Sequence, residues 1–236
     1  MKLSNKRKFQ YRRRRSWWAH RQLLGRAMVG LGVALAGYAT WGVIVRYQAT
    51  HAPITQALPP AAQTVTQAVG RPDETPIKPG TSYQVPADQP RQITMPTIGA
   101  QGYIQRVGQL PDGAIAVPTN TYLAGWYVDG PKPGDEGVAV LDGHLQGSYG
   151  PGIFTKLSQI APGAEFTIEY GDGSRRHFRT KTITTYVLAE ASRHLFDRLP
   201  GVSNQINLVT CAGDFDRGQG TYKERVIVAA ERIMDL

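Results

Sequence analysis

Short apolar runs separated by turn residues fill the C-terminal part of the chain, from about residue 93 onward. Runs of this length between glycine and proline breaks are typical of β-strands, and they predict an all-β barrel or sandwich. The triplet Gly171-Asp172-Gly173 between two runs predicts a hairpin turn. Helical pattern is sparse, with one or two short helices expected at residues 153–157 and 189–199. The predicted strands cover residues 102–107, 137–141, 165–170, 177–187, 205–210 and 226–230.

An uninterrupted apolar run near the N-terminus predicts a transmembrane helix. Residues 27–45 carry no charged side chain, and as a helix they would be about 28 Å long, enough to cross the hydrocarbon core of a bilayer. Residues 1–26 contain ten Lys and Arg and no acids. The positive-inside rule therefore places this tail in the cytoplasm and the rest of the chain outside a single-pass cell-membrane anchor. A cleaved signal peptide and a buried helix behind a nucleic-acid-binding arm are the alternatives.

The positive charge of the chain belongs to this tail. The formal net charge is +9, from 27 Lys+Arg and 18 Asp+Glu, but residues 27–236 hold 17 of the bases and all 18 acids. The folded part is therefore close to neutral and lacks the basic surface that nucleic-acid binding requires. We expect no nucleic acid among its partners.

Prolines are concentrated between the apolar run and the predicted strands. Residues 47–92 contain eight of them among Ala, Thr and Gln, a density that blocks helix interiors and sheet ladders. The sequence thus predicts a basic cytoplasmic tail (1–26), a transmembrane signal anchor (27–45), an extended extracytoplasmic stalk (46–90) and a folded domain (91–236). A packed N-terminal subdomain in place of the stalk is the alternative.

The chain has one cysteine, Cys211, which excludes an intramolecular disulfide and any site built from several cysteines. It follows an apolar run and precedes a loop with three glycines, after which a second strand begins. If the two strands pair antiparallel, Cys211 and Arg225 are neighbours. A guanidinium there favours a thiolate and binds an oxyanion. A buried structural cysteine is the alternative.

A thiol nucleophile needs a base, and His144 is the histidine best placed to supply one. It follows an apolar run through Asp142 and Gly143, so it lies where a strand gives way to a loop. Asp142 either orients His144 as the third member of a triad or serves ordinary turn chemistry.

Five motifs in this part of the chain resemble those of the sortases, the membrane-anchored cysteine transpeptidases of Gram-positive-type cell surfaces. The Asn-Leu-Val-Thr-Cys run resembles the Thr-Leu-x-Thr-Cys signature and departs from it at Asn207. The other four motifs are Gly143-His144, Arg225 at the start of the last strand, the Gly-Pro-Gly-Ile-Phe-Thr-Lys-Leu segment at 150–157 and the Ile-Thr-Met-Pro-Thr-Ile-Gly segment at 93–99.

The resemblance implies an eight-stranded β-barrel with one or two short helices. Residues 47–92 lack the Asp-Pro-aromatic lid motif of many pilin-polymerising sortases, which favours a protein-anchoring housekeeping or accessory enzyme of the class E or F kind. It implies cleavage of a C-terminal Leu-Pro-x-Thr-Gly-type sorting signal between Thr and Gly, through a thioacyl-enzyme. The acceptor is the amine of a peptidoglycan precursor or a pilin lysine. Cys211, His144 and Arg225 occupy the family's catalytic positions, and Thr210 occupies the position that helps hold the oxyanion.

Other functions remain open from the sequence. A non-enzymatic, membrane-tethered surface or envelope interaction protein would also carry an anchor and a stalk. An L,D-transpeptidase would fit the location, but its adjacent Ser-His-Gly-Cys-type signature is absent. The chemistry requires no cofactor, and no residue spacing indicates a metal. Asp214 and Asp216 form an acidic pair for which a calcium site is the less favoured interpretation.

Overall fold

The computed structural model describes residues 71–77 and 83–234. Eight strands form a closed barrel in the order β1-β2-β3-β4-β7-β8-β6-β5. The strands are β1 Pro90–Met95, β2 Ala100–Val107, β3 Ala124–Tyr127, β4 Gly137–Gly143, β5 Glu165–Tyr170, β6 Arg175–Val187, β7 Asn204–Asp216 and β8 Thr221–Ile233. The predicted all-β barrel of eight strands is confirmed.

Helical structure in the described residues is short, as the sequence predicts. One α-helix, α1, covers Leu188–His194, and 3-10 turns cover Pro96–Ile98 and Leu157–Gln159. The helix predicted at 153–157 is wrong, because those residues form hydrogen-bonded turns that lead into the second 3-10 turn.

Alternating side chains fill the barrel, as closure of a sheet requires. In β5 the residues Phe166, Ile168 and Tyr170 are buried while their neighbours are not. Phe166 stacks on Phe178 of β6, with 5.2 Å between ring centroids. This apolar interior stabilises the barrel, because every strand contributes one face to it.

Two strands, β1 and β3, have no counterpart among the predicted strands. β3 has only four residues, so its apolar pattern is too short to distinguish from a loop. It pairs parallel with β2 and antiparallel with β4. β1 begins at Pro90 within the proline-rich stretch, and that proline lies at the strand end, where a missing N–H is tolerated.

Residues before β1 also lie against the barrel. Tyr83 is only 3% exposed, stacks on Tyr103 and donates its hydroxyl proton to the carbonyl of Ile104. The backbone of Asp73 exchanges hydrogen bonds with Thr119 and Thr121. The described parts of the predicted stalk are thus packed on the domain, while the domain boundaries themselves stay predictions.

The predicted anchor at residues 27–45 and the tail before it lie outside the described residues. Within residues 71–77 and 83–234, no helix combines the length and the apolar character that crossing a bilayer requires.

Candidate active site

Cys211 lies directly opposite Arg225, as the strand–loop–strand pattern predicts. β7 and β8 are antiparallel, and their register pairs these two residues. The expected position of Cys211 at the end of its strand is wrong, because β7 continues to Asp216. The pairing of β4 with β7 stops at Asp142 and Val209, however. The thiol therefore lies just beyond the end of β4, at a rim of the barrel.

The chain bends immediately after the cysteine. The register of β7 against β8 shifts between Ala212 and Phe215, and Gly213 there has a φ of 71°. Glycine adopts this left-handed conformation without the steric cost that other residues meet. A β-bulge of this kind re-aims the strand next to a site. The glycines of the predicted loop thus serve a bulge and a short turn.

The guanidinium of Arg225 is held by its own strand. Its Nη1 donates to the carbonyls of Tyr222 (3.0 Å) and Glu224 (2.8 Å), and its Nη2 donates to Oγ1 of Thr221 (3.1 Å). Three hydrogen bonds from a planar group fix its orientation. Arg225 is half-buried, so its charge remains available at the surface where Cys211 lies.

His144 follows β4 and is oriented by a backbone carbonyl. Its Nε2 lies 2.8 Å from the carbonyl oxygen of Pro118. A carbonyl only accepts, so Nε2 carries a proton and Nδ1 is left for acid–base chemistry. Among the described residues, no hydrogen bond joins the imidazole to the thiol of Cys211. The three predicted side chains thus lie at one rim of the barrel, and their catalytic roles stay predictions.

Two glycines allow the loop after His144 to pack closely. A Cβ on Gly143 would lie 2.4 Å from the Phe154 ring, and one on Gly152 would lie 2.2 Å from the carbonyl oxygen of His144. The loop returns at this point, where the N–H of Phe154 donates to the His144 carbonyl. The Gly-His and Gly-Pro-Gly-Ile-Phe patterns therefore have a physical reason. The absence of a side chain at Gly143 and at Gly152 allows the loop that carries His144 to pack against the core.

Thr210 lies on the opposite face of β7 from Cys211. It is 1% exposed, and its Oγ1 donates to the carbonyl of Gly143 at 2.7 Å. This bond joins β7, one residue before the thiol, to β4, one residue before the imidazole. The described contact therefore positions the two elements, and the expected role of Thr210 at the oxyanion stays a prediction.

The thiol is strongly affected by its surroundings. Burial raises the pKa of Cys211 to about 11; the charge of Arg225 opposes this rise and that of Asp142 adds to it. The thiol is therefore protonated at neutral pH before substrate arrives, and only a small fraction of the protein holds the thiolate.

Asp142 is a second charged group on the same face. It occupies the outer side of β4 next to Val140 and is half-buried. Burial raises the pKa of Asp142, against the opposing effects of His144, the Gly143 N–H and Arg225. Among the described residues no hydrogen bond joins Asp142 to the His144 ring; the two interact through charge, and the triad interpretation stays a prediction.

An apolar floor leads to the thiol along the outside of the barrel. Val140, Val209 and Ile227 form a buried cluster on the outer faces of β4, β7 and β8. Partly buried apolar side chains pack around it, namely Ile115, Tyr127, Tyr186 and Leu195. Because Cys211 follows Val209 by two residues, it lies on the same face as this floor.

Two polar side chains of β7, Gln205 and Asn207, hold one side of this floor. Asn207 donates from Nδ2 to the carbonyl of Leu195 and accepts at Oδ1 from Gln205. Gln205 in turn binds the carbonyl of Asp197 and the N–H of Leu199. These bonds fix the segment after α1. The departure of Asn207 from the family signature was the signal that could have located this anchor.

A second anchor comes from residues before the barrel. The Glu74 carboxylate accepts hydrogen bonds from the backbone N–H groups of Ser148 and Tyr149, both at 2.8 Å, and pairs with Arg71. Ser148 and Tyr149 belong to the loop that begins at His144. The sequence showed only a charged pair in a proline-rich stretch, and that pattern does not indicate a partner so far along the chain.

Asp216, one member of the acidic pair after Cys211, serves the turn between β7 and β8. Oδ1 of Asp216 accepts from the N–H groups of Gly218 and Gln219. Among residues 71–77 and 83–234, no group of three or more His, Cys, Asp or Glu side chains is arranged to hold a metal ion.

Comparison with known proteins gives a family match and a set of structural neighbours. Residues 93–233 match the model of the Sortase domain. No curated protein sequence matches the chain. Sortase C-1 of Actinomyces oris is 22% identical with a TM-score of 0.46, over 61% of this chain and 72% of that chain.

Two further solved structures are similar at the same level. A lid mutant of sortase A from Corynebacterium diphtheriae is 21% identical with a TM-score of 0.48, over 67% of this chain and 75% of that one. The Clostridium perfringens sortase D5 transpeptidase is 19% identical with a TM-score of 0.45, over 62% and 80%. The family model spans more than half of the sequence and contains Cys211, His144 and Arg225, and the chain therefore belongs to the sortase family of cysteine transpeptidases.

Proposed function

We propose that this sortase cleaves a C-terminal Leu-Pro-x-Thr-Gly-type sorting signal between Thr and Gly and transfers the protein to an amine at the cell wall. The observation that carries the proposal is the pairing of Cys211 with Arg225 at the rim where His144 also lies. A thiol, a guanidinium and an imidazole on one edge provide a nucleophile, an oxyanion partner and a proton donor.

The first half-reaction forms a thioester. The thiolate of Cys211 attacks the carbonyl carbon of the Thr–Gly bond, and the negative charge that develops on oxygen is stabilised by the Arg225 guanidinium. Protonated His144 gives a proton to the glycine nitrogen, so the C–N bond breaks and the amine leaves. The raised pKa of Cys211 makes the active thiolate–imidazolium form a minority species at neutral pH.

The second half-reaction resolves the thioester with an amine. Neutral His144 takes a proton from the incoming amine, which attacks the thioester carbonyl and releases Cys211 as the thiolate. The acceptor is the amine of a peptidoglycan precursor or a pilin lysine. An amine competes well with water for a thioester, which suits transfer over hydrolysis.

The apolar floor supports a substrate with apolar residues before the scissile bond. Val140, Val209 and Ile227 lie on the face of Cys211 but are themselves buried beneath partly exposed apolar side chains, namely Ile115, Tyr127, Tyr186 and Leu195. An extended peptide can place a Leu and a Pro on this covering layer while its threonine carbonyl reaches the thiol. The partners are thus surface proteins that carry a sorting signal.

The N-terminal sequence supports a position of the enzyme on the outer side of the cell membrane. Ten bases before the apolar run at residues 27–45 favour a cytoplasmic N-terminus and an extracytoplasmic barrel. We expect the protein to stay in the membrane fraction after alkaline carbonate extraction. Protease treatment of intact protoplasts should release a fragment of the size of the folded domain. Release by carbonate would contradict the anchor.

The decisive experiment uses the full chain in detergent with a library of fluorescent pentapeptides and either hydroxylamine or diaminopimelate. We expect a Thr-terminated adduct by mass spectrometry, lost in Cys211→Ala and in His144→Ala. His177→Ala is the matched control, since His177 is a histidine on β6, away from the thiol. If the folded wild-type protein forms no adduct with any peptide, the proposed activity is contradicted.

A further inference from the structure

Asp142 is a charged side chain that the reaction described above does not use. It lies at the outer end of β4, opposite Val209, and so on the same face as Cys211 two residues further along β7. Arg225 flanks the cysteine from the other side, on β8. The thiol thus lies between a carboxylate-bearing strand and a guanidinium-bearing strand.

Within the part of the chain that the structure describes, no cationic side chain lies within salt-bridge distance of the Asp142 carboxylate. None of the salt bridges within residues 71–77 and 83–234 includes Asp142. Two cationic groups act on it by charge: His144, whose Nε2 is bound to the carbonyl of Pro118, and Arg225, which directs its hydrogen bonds to its own strand. A half-buried carboxylate beside the reacting atom, with no cation in salt-bridge contact, gains stabilisation when a cationic ligand binds to it directly.

We propose that Asp142 is a binding site for a primary ammonium group of a substrate. Two sources have this chemistry: the acceptor amine, and a basic side chain at the variable position of the sorting peptide. The inference rests on the proposed function, because it assigns a partner to a residue of the same site. The raised pKa of Asp142 is in keeping with it, because an ammonium in contact would restore the charged form that burial disfavours.

For an acceptor amine, the position of Asp142 also fits the order of events. The ammonium rests on the carboxylate and transfers one proton to neutral His144, which leaves the free amine beside the thioester. The amine nitrogen then bonds to the carbonyl carbon, the C–S bond breaks, and Cys211 leaves as the thiolate. The remaining extra proton on nitrogen passes to solvent as the amide forms, so charge and atoms balance.

The first arm of the test measures competition for one thioacyl-enzyme. The full chain receives a sorting peptide with an uncharged variable residue, together with glycinamide, which is an ammonium at neutral pH, and hydroxylamine, which is uncharged. The ratio of the two products does not depend on how fast the thioester forms. We expect Asp142→Asn to lower the share of glycinamide product about tenfold, the effect of one charge-assisted contact.

The second arm tests the peptide as the source. Peptides with Lys or Gln at the variable position are compared with hydroxylamine as the nucleophile in both cases. If the ammonium belongs to the peptide, Asp142→Asn abolishes a preference for Lys that the wild type shows. The matched control is Glu136→Gln, which removes a negative charge from an exposed residue just before the other end of β4.

The outcomes separate this inference from the proposed function. A change in either arm that Glu136→Gln does not reproduce supports an ammonium site at Asp142. Unchanged ratios in both arms, or equal changes in the control, overturn it while the transpeptidase activity stands. If the wild type forms no Thr-terminated product, both the proposed function and the ammonium site are contradicted.

Discussion

Cys211 and Arg225 form a directly opposed pair across β7 and β8, with their side chains on the outer face of the barrel. Opposed residues in an antiparallel pair have Cβ atoms about 5 Å apart. The pairing follows from the register of two 13-residue strands that remain hydrogen-bonded well beyond the site. The relation between thiol and guanidinium is therefore set by backbone pairing over the whole length of two strands.

Replacing Arg225 with Lys tests the value of the planar group. Lysine keeps the charge but cannot make three hydrogen bonds in one plane, so we expect kcat/KM on a sorting peptide to fall by about 100-fold or more. The melting temperature should change little, since the residue is half-buried at a rim. Wild-type turnover in this variant would show that the guanidinium serves only the strand. Arg179→Lys, an exposed arginine on β6, is the matched control.

The ionisation of Cys211 can be followed directly, because the chain contains one cysteine. Burial raises the pKa of the thiol to about 11 from an ordinary 9.0, so the rate of alkylation by iodoacetamide should keep rising beyond pH 10 in the folded protein. In denaturant the midpoint should return to near 9. We expect Asp142→Asn to move the folded midpoint to lower pH, because it removes a negative charge that opposes the thiolate.

The same shift predicts an alkaline loss of stability. Between about pH 9 and 11 the unfolded chain has lost the thiol proton while the folded chain retains it, so the free energy of unfolding falls as pH rises through this range. Cys211→Ser should show a smaller decrease over the same range. An identical pH dependence in both proteins would contradict a raised pKa in the folded state.

Thr210 offers a test that separates positioning from oxyanion binding. Thr210→Val removes the donor to the buried Gly143 carbonyl and should cost about 1 to 3 kcal/mol of stability. Thr210→Ser keeps the hydroxyl and should recover most of the loss. If Thr210→Val lowers kcat/KM but leaves the melting temperature unchanged, the hydroxyl acts on the reaction rather than on the link between β7 and β4.

Glu74 stabilises the histidine loop only while it is ionised. Burial raises its pKa, but the N–H groups of Ser148 and Tyr149 and the charge of Arg71 outweigh this, so the pKa lies below the ordinary 4.5. Its contribution is therefore complete above pH 4.5 and is lost as pH falls through the lowered value.

We expect Glu74→Gln to lower the melting temperature at pH 7 and to differ little from the wild type in strong acid. Hydrogen exchange of the Ser148 and Tyr149 amides should speed up at pH 7, because both lose a carboxylate partner. Glu136→Gln is the control. A temperature difference that persists unchanged in acid would show that the interaction does not depend on the charge.

Periodicity and motif order determined a large part of this protein. The strand predicted at residues 165–170 coincides with β5, and those at 137–141 and 205–210 lie within β4 and β7. The opposition of Cys211 and Arg225 followed from antiparallel pairing alone, because local pattern identifies a strand whenever one face is buried. The motifs identified the family because each reflects a packing requirement of the fold. Gly143, for example, must lack a side chain because it lies against the Phe154 ring.

Only the tertiary structure decided how distant segments meet at the site. The contact of Glu74 with the loop at Ser148 and the anchor from Asn207 to Leu195 join residues whose spacing carries no periodic signal. The same holds for the bond from Thr210 to Gly143 and for the position of Asp142 beside the thiol. The physical reason is that closure of the barrel sets which strand ends share a rim, and closure depends on the pairing of all eight strands together.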